Sequence, residues 1–295
     1  MTISKNFNDH YSKIYGDRWI FLSKALLKKE VQVARWNRFS KTEFKPLNTD
    51  GLETETELSG CYQILTQSEI FRGNDGLLSY YIMDPGSVVA ARALTVEPGD
   101  RVLDLCAAPG GKTLILAESL AEKGELIANE FSSSRKERLK KVIQQYVPRN
   151  VRERIWVTGY EGARWSSQQQ ETFDKILVDA PCSGERHLLE NQKSLLEWSP
   201  SQGRHLAQRQ YALLAGALLA LKKGGKLVYS TCSISPDEND GVISKLIKKK
   251  GDSFHLLKVE DGLLFEGEPT EFGTIFLPDR KGWGPIYFCV IEKTD

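Results

Sequence analysis

The stretch that most constrains this chain is residues 102–113, VLDLCAAPGGKT. An apolar run ends in Asp104, the small residues Cys106, Ala107 and Ala108 follow, and Pro109, Gly110 and Gly111 come next. That order predicts a buried strand turning tightly into a helix. Such a junction is a ligand-binding place in α/β folds, because glycine lets backbone approach closely and the first helical N–H groups are unpaired donors. Three readings stand side by side: a phosphate loop, a site for an adenosine-containing cofactor, and a plain turn. The triplet Gly111-Lys112-Thr113 imitates the end of a P-loop, but that motif needs a glycine where this chain has Cys106. The nucleotide-triphosphate reading is therefore the weakest of the three.

Downstream, strand and helix patterns alternate. Strands are predicted at 126–130, 155–158, 175–179 and 226–231, with helices at 134–146, 206–221 and 237–250. Leu139, Val142, Ile143 and Tyr146 share one helical face, as do Val242, Ile243, Leu246 and Ile247. This alternation predicts a Rossmann-like, doubly wound, mostly parallel α/β sheet. Residues 272–292 read as two short strands of an antiparallel edge. Upstream, Asp84-Pro85 reads as a helix cap with proline at the first helical position. Residues 1–80 lack the alternation and form a small, largely helical extension before a catalytic part at 81–295, with a helix predicted over 19–34 and a loop or hairpin over 48–60.

Composition sets outer bounds. The chain has 295 residues, 40% apolar and 27% charged, as expected of a soluble globular protein. Its 40 basic side chains nearly balance 39 acidic ones, so any contact with nucleic acid must come from local patches. One candidate combines Lys28, Lys29, Arg35, Arg38, Lys41 and Lys45 with Trp36, Phe39 and Phe44; others lie at 136–154 and 248–250. For each, a solvated helix face is the competing explanation. The absence of a membrane-length apolar run or a leader-like start points to a cytoplasmic protein. Five cysteines without CxxC spacing argue against a disulfide framework or a metal site.

Every residue with chemical potential falls at the carboxyl end of a predicted strand, where open α/β sheets bind ligands. Glu130 closes the second strand, about twenty positions past the glycine turn, where a carboxylate commonly meets ribose hydroxyls. Glu161 follows the third strand and is placed to accept from an adenine amino group. The next two strands run into Asp179-Ala180-Pro181-Cys182-Ser183 and Ser230-Thr231-Cys232-Ser233. Two cysteines in polar turns on neighbouring strand ends are hard to explain as packing, since structural cysteines normally lie within apolar elements. The connection 183–204 is long enough to face substrate as a lid.

The blocks DLCAAPGGKT, DAPCSG and YSTCSISPDEN resemble the signatures of the Sun (Fmu) family of S-adenosylmethionine-dependent RNA cytosine-5 methyltransferases, in family order and spacing. DHYSKIYGDRW, SYYIMDPGS, ERH and GWGPIYF are similar to the branch containing the mitochondrial small-subunit ribosomal RNA enzyme. Glu130 and Glu161 depart from a frequent Asp, and neither a NusB-like nor a PUA block is recognisable. The resemblance implies the S-adenosylmethionine-dependent methyltransferase fold and RNA as partner, ribosomal or transfer, with 5-methylcytosine as product.

It implies Cys232 as the nucleophile adding to cytosine C6, Cys182 as the residue needed for release, and Asp179 as general acid near N3. It further implies a cofactor cradle of Cys106, Ala107, Ala108, Pro109, Gly110, Gly111 and Lys112 with Asp179, and with Glu130 on the ribose and Glu161 near the adenine. Arg135 is a further candidate contact, and a protein partner that delivers the substrate is compatible with the sequence. Two alternatives remain: a DNA cytosine-5 methyltransferase attacking through Cys182, and a non-catalytic RNA-binding or assembly protein.

Overall fold

The computed structural model describes residues 3–41, 52–64, 70–120, 123–167, 169–259 and 267–294. Two helices, α1 (Lys5–Tyr15) and α2 (Trp19–Leu26), open the chain, followed by four short strands, β1 (Val33–Trp36), β2 (Leu52–Glu55), β3 (Cys61–Ile64) and β4 (Tyr80–Met83). The strands form an antiparallel sheet in the order β2-β3-β1-β4. The extension thus carries the expected helices and also a sheet that periodicity did not reveal.

The helix predicted over 19–34 ends at Leu26, and 33–36 is strand. Phe21, Leu27 and Val31, which completed the apparent helical face, are exposed, whereas Val33 and Ala34 are buried. Arg35, read as a contact for RNA, is also buried: its Nη1 lies 2.7 Å from Glu118 Oε2. Phe44 and Lys45 fall outside the described residues.

The alternating part runs α3 (Pro85–Arg92), β5 (Arg101–Asp104), α4 (Gly111–Ser119), β6 (Glu125–Asn129), α5 (Ser133–Tyr146), α6 (Arg149–Arg152), β7 (Ile155–Thr158) and β8 (Phe173–Asp179). It continues through α7 (Glu185–Glu190), α8 (Gln192–Glu197), α9 (Pro200–Ala220), β9 (Leu221–Thr231), α10 (Asp240–Lys250), β10 (Phe254–Leu257), β11 (Glu268–Pro269), β12 (Thr274–Phe276) and β13 (Ile286–Lys293). Asp84 caps α3 as expected, its carboxylate accepting from Ser87 N at 2.9 Å. The connection 183–204 is not an open loop. It folds into α7, α8 and the start of α9, with Leu189, Leu195 and Trp198 buried.

The main sheet has the order β11-β12-β13-β9-β8-β5-β6-β7, with β10 also paired to β13. From β9 to β7 all neighbours are parallel, and β13 joins β9 antiparallel. Strand β5 is first in the alternating part and sits between β6 and β8. The sheet therefore reverses its winding there and opens a crevice at the carboxyl ends of its strands.

Alternation along the strands sorts side chains into two cores. Leu103, Ile176, Val178, Leu227 and Tyr229 face α1, α2, α9 and α10, whereas Val102, Leu177, Val228 and Phe288 face α3, α4 and α5. Phe7, Trp19, Leu22 and Leu26 share the first core, so the N-terminal helices pack onto the main sheet.

The Arg35 and Glu118 side chains are only 2% and 4% exposed. Losing one partner of such a buried pair strands the other charge in a low-dielectric surrounding. Arg35→Ala is expected to cost about 3–5 kcal/mol in urea unfolding, and Arg35→Met with Glu118→Leu to recover most of it.

Candidate active site

The crevice is built from four strand ends. After β5 the chain turns through Gly110, which has φ +120° and caps α4. A Cβ there would sit 2.9 Å from Val142 Cγ1, so glycine is required both by conformation and by space. Lys112, one residue into α4, sends Nζ to Asp179 Oδ2 at 2.8 Å, joining the glycine turn to the end of β8. Burial alone would lower the Lys112 pKa, but attraction to Asp179 and its hydrogen bond outweigh this, and Cys232 adds to the upward shift. The net effect favours an ammonium facing both groups.

Parallel pairing of Asp179 with Ser230 sets the register of β8 and β9, and the two cysteines follow shortly after it. Their Sγ atoms lie 2.8 Å apart, and Cys232 N donates to Cys182 Sγ at 3.2 Å. The hydrogen bond with Cys232, together with burial, pushes the Cys182 thiol up. Burial likewise pushes the Cys106 thiol up, making it a poor thiolate and leaving it as a lining residue.

A cavity of about 490 Å³ holds both thiols, with Lys112, Arg135, Asp179 and His187 on its walls. A second of about 190 Å³ lies along Tyr81, Asp104, Cys106, Ala107 and Gly111. Ala108, Pro109, Lys112 and Asp179 line both, so the two spaces adjoin.

Two buried acceptors without hydrogen-bond donors mark the cofactor side, Asp104 Oδ1 and Glu130 Oε2. The second oxygen of Glu130 accepts from Ser132 N at 2.9 Å, while Oε2 lies 3.5 Å from Arg135 Nη1. Arg135 Nη2 also donates to Ala108 O at 2.7 Å, bracing the glycine turn. Vacant acceptors at the ends of β5 and β6 suit the hydroxyl and amino donors of S-adenosylmethionine, so the residues present fit that group. Neither Glu130 nor Glu161 lines either cavity: Glu130 is buried beside Arg135, which does, whereas Glu161 is exposed and pairs with Arg164 at 3.2 Å.

A family model described as 16S rRNA methyltransferase RsmB/F matches residues 91–289. The chain belongs to that family. It is 33% identical to the 5-cytosine rRNA methyltransferase NSUN4 of Bos taurus, over 97% of this chain and 87% of that one. It is 31% identical to the mitochondrial tRNA (cytosine(34)-C(5))-methyltransferase of Mus musculus, over 97% and 89% of the two chains. Among solved structures, NSun6 from Pyrococcus horikoshii with SFG superposes with a TM-score of 0.80 at 19% identity, covering 99% of this chain and 98% of that one, a likeness of fold. The RsmB/F family is S-adenosylmethionine-dependent, which agrees with the vacant acceptors at β5 and β6.

Within this RsmB/F chain the sequence motifs outside the three signature blocks also converge on the site. Tyr81 and Ser87 from SYYIMDPGS, Arg186 and His187 from ERH, and Pro285 from GWGPIYF all line the cavities. Asp84 does more than cap α3: its Oδ2 accepts from Gly284 N at 2.7 Å, tying the last motif to the wall. Burial raises its carboxyl to about 6. Arg186 is buried and donates to Lys28 O at 2.8 Å and Gly284 O at 2.9 Å. Sequence reasoning also missed Glu185 and Glu238, polar residues in signature-like segments whose partners are distant in the chain.

Asp104 carries a pH dependence. Burial raises its carboxyl to about 7, with the Thr113 hydroxyl, 2.7 Å away, opposing the shift. An aspartate in the unfolded chain ionises near ~3.9. The folded chain therefore holds this proton more tightly, and the resulting stability is full in acid and lost as pH rises through about 7. Asp104→Asn removes the titration and is expected to lose less stability than the parent between about pH 5 and about pH 8. Equal urea-unfolding differences would contradict this.

Proposed function

We propose that this chain forms 5-methylcytosine in ribosomal RNA through a covalent bond between Cys232 Sγ and cytosine C6. The observation that carries the reading is the pair of thiols 2.8 Å apart beside the Lys112–Asp179 ion pair. Cytosine C5 is a weak nucleophile until a thiolate adds at C6 and pushes electrons toward C5 and N3, so the reaction needs an activated cysteine. The Cys182 thiol is pushed up by its hydrogen bond with Cys232 and by burial, which makes Cys182 the poorer nucleophile of the pair. This asymmetry supports Cys232, and not Cys182, as the attacking residue. It disfavours the mechanism of a DNA cytosine-5 methyltransferase.

Asp179, held by Lys112 Nζ at 2.8 Å, is the group assigned to deliver a proton to N3 of the base. S-adenosylmethionine, held by residues 106–112 with Glu130 and Arg135, supplies the electrophilic methyl group. Cys182, once its proton has passed to solvent, takes the C5 proton as thiolate; the C5–C6 double bond re-forms, N3 returns its proton to Asp179 and the Cys232–C6 bond breaks. A base buried this deeply must leave its stack, so an unpaired or flipped cytosine is the substrate. Glu161, exposed and paired to Arg164, has no part in this reading.

Ribosomal RNA is preferred over transfer RNA because the matching family and the 33% relative are both named for it. Residues 81–295 would form the catalytic part, with 1–80 adding the wall behind Arg186. Among the described residues no helix is long and apolar enough to cross a membrane.

With RNA and S-adenosylmethionine, Cys182→Ala is expected to accumulate a denaturation-resistant protein–RNA complex, and Cys232→Ala to form none and to methylate nothing. The reverse pattern on a denaturing gel would assign the attack to Cys182. Wild-type methylation by both variants would remove the covalent mechanism.

A further inference from the structure

Behind the two thiols lies a buried polar cluster that the chemistry above does not use. Glu238, on the loop between β9 and α10, is fully buried. Its Oε2 accepts from Ser183 N at 2.9 Å and from Gln210 Nε2 at 2.8 Å. Its Oε1 accepts from Ser183 Oγ and lies 3.2 Å from Ser233 Oγ. Ser183 immediately follows Cys182, Ser233 immediately follows Cys232, and Gln210 Nε2 also reaches Pro181 O at 2.9 Å, just before Cys182. One carboxylate thus grips the turns of both cysteines. The backbone of Glu238 is itself tied down by Tyr229 OH, which donates to its carbonyl at 2.7 Å.

A second carboxylate works from the opposite side. Glu185 accepts from Ile234 N at 3.0 Å and Tyr11 OH at 2.7 Å, and lies 2.9 Å from Ser233 Oγ. A lone hydroxyl proton on Ser233 is therefore shared between two acidic acceptors. Burying carboxylates is costly, and apolar side chains would fill the same space more stably. What a carboxylate offers instead is several acceptor sites at fixed directions, which suits the convergent donors of two separate turns.

We propose that Glu238 is a positioning residue that fixes the spacing and mutual orientation of Cys182 and Cys232. Its role rests on the covalent reading above, but the spacing it sets exists without RNA or cofactor and is open to measurement in the free protein. A trivalent arsenical such as phenylarsine oxide bonds to two thiols only when they are held close, releasing its oxygen as water as two As–S bonds form. It is a ruler for this pair.

The test uses the full chain, with folding followed by circular dichroism. Glu238→Gln keeps the shape but presents amide hydrogens to donors that need acceptors. It is expected to bind phenylarsine oxide at least about tenfold more weakly, and to lose on the order of a hundredfold in kcat, as for misplacement of reacting groups. S-adenosylmethionine affinity should stay within about twofold, since no cofactor-side residue touches this cluster. Iodoacetamide should still alkylate both thiols, and Glu238→Asp, which keeps the charge, should recover part of the arsenical binding.

Parental arsenical binding and parental kcat in Glu238→Gln would overturn the proposal. If Glu238→Gln does not fold, Ser183→Ala and Gln210→Met, each removing one donor to the carboxylate, decide the same question. A several-fold loss of arsenical binding in both supports positioning, and no loss in either refutes it. Methylation by Cys232→Ala at the parental rate would instead defeat the covalent reading, whatever the arsenical shows.

Discussion

Parallel pairing of β8 with β5 on one side and β9 on the other is the constraint on which the site depends. It aligns three strand ends at one edge, so the glycine turn, Asp179 with Cys182, and Cys232 arrive in the same crevice from points far apart in the chain. The Lys112–Asp179 contact then closes the β5–β8 gap, and the sulfur pair closes the β8–β9 gap. A register slip of one residue would turn Val178 and Leu177 to the wrong cores and separate the thiols. Hydrophobic sorting and chemistry are enforced by the same pairing.

Electrostatics divide the labour among cysteines that look alike in composition. Cys106 and Cys182 are both pushed toward the thiol form, the first by burial and the second chiefly by its neighbour's sulfur. Cys232 is the cysteine that adds to the upward shift of Lys112. Burial raises the Asp84 and Asp104 carboxyls, and Asp84 adds to the attraction that Asp179 and Cys232 exert on Lys112.

Much of this was legible in the sequence because it is local. Strand-helix alternation, the Asp84 cap, the glycine turn and both cysteine turns are written in consecutive residues, and the sheet placed them as the pattern required. Strand β2 lies within the stretch 48–60 read as a loop or hairpin and its partner β3 directly follows it, but β1 was hidden because it is only four residues long and follows apolar residues whose spacing imitates a helix. Arg35 looked like an outward charge because its partner, Glu118, lies on α4 and gives no local sign. The same distance concealed Glu185, whose hydroxyl donor Tyr11 sits on the first helix. Glu161 shows the converse: a residue at the right strand end whose side chain finds a neighbour on its own turn and stays outside.

The Arg186 guanidinium ties carbonyls at the end of α2 and at Gly284 to the helix that follows the first cysteine turn. Its reach joins the beginning, middle and end of the polypeptide behind a single cavity wall. A fragment trimmed to residues 91–289, the span that the family model recognises, would keep the guanidinium and Gly284 but lose the carbonyls of residues 26 and 28. Arg186 would then be a buried cation short of acceptors. The smallest unit recognisable by sequence is thus smaller than the smallest unit able to close its own reaction chamber, and the wall must await the whole chain before it is complete.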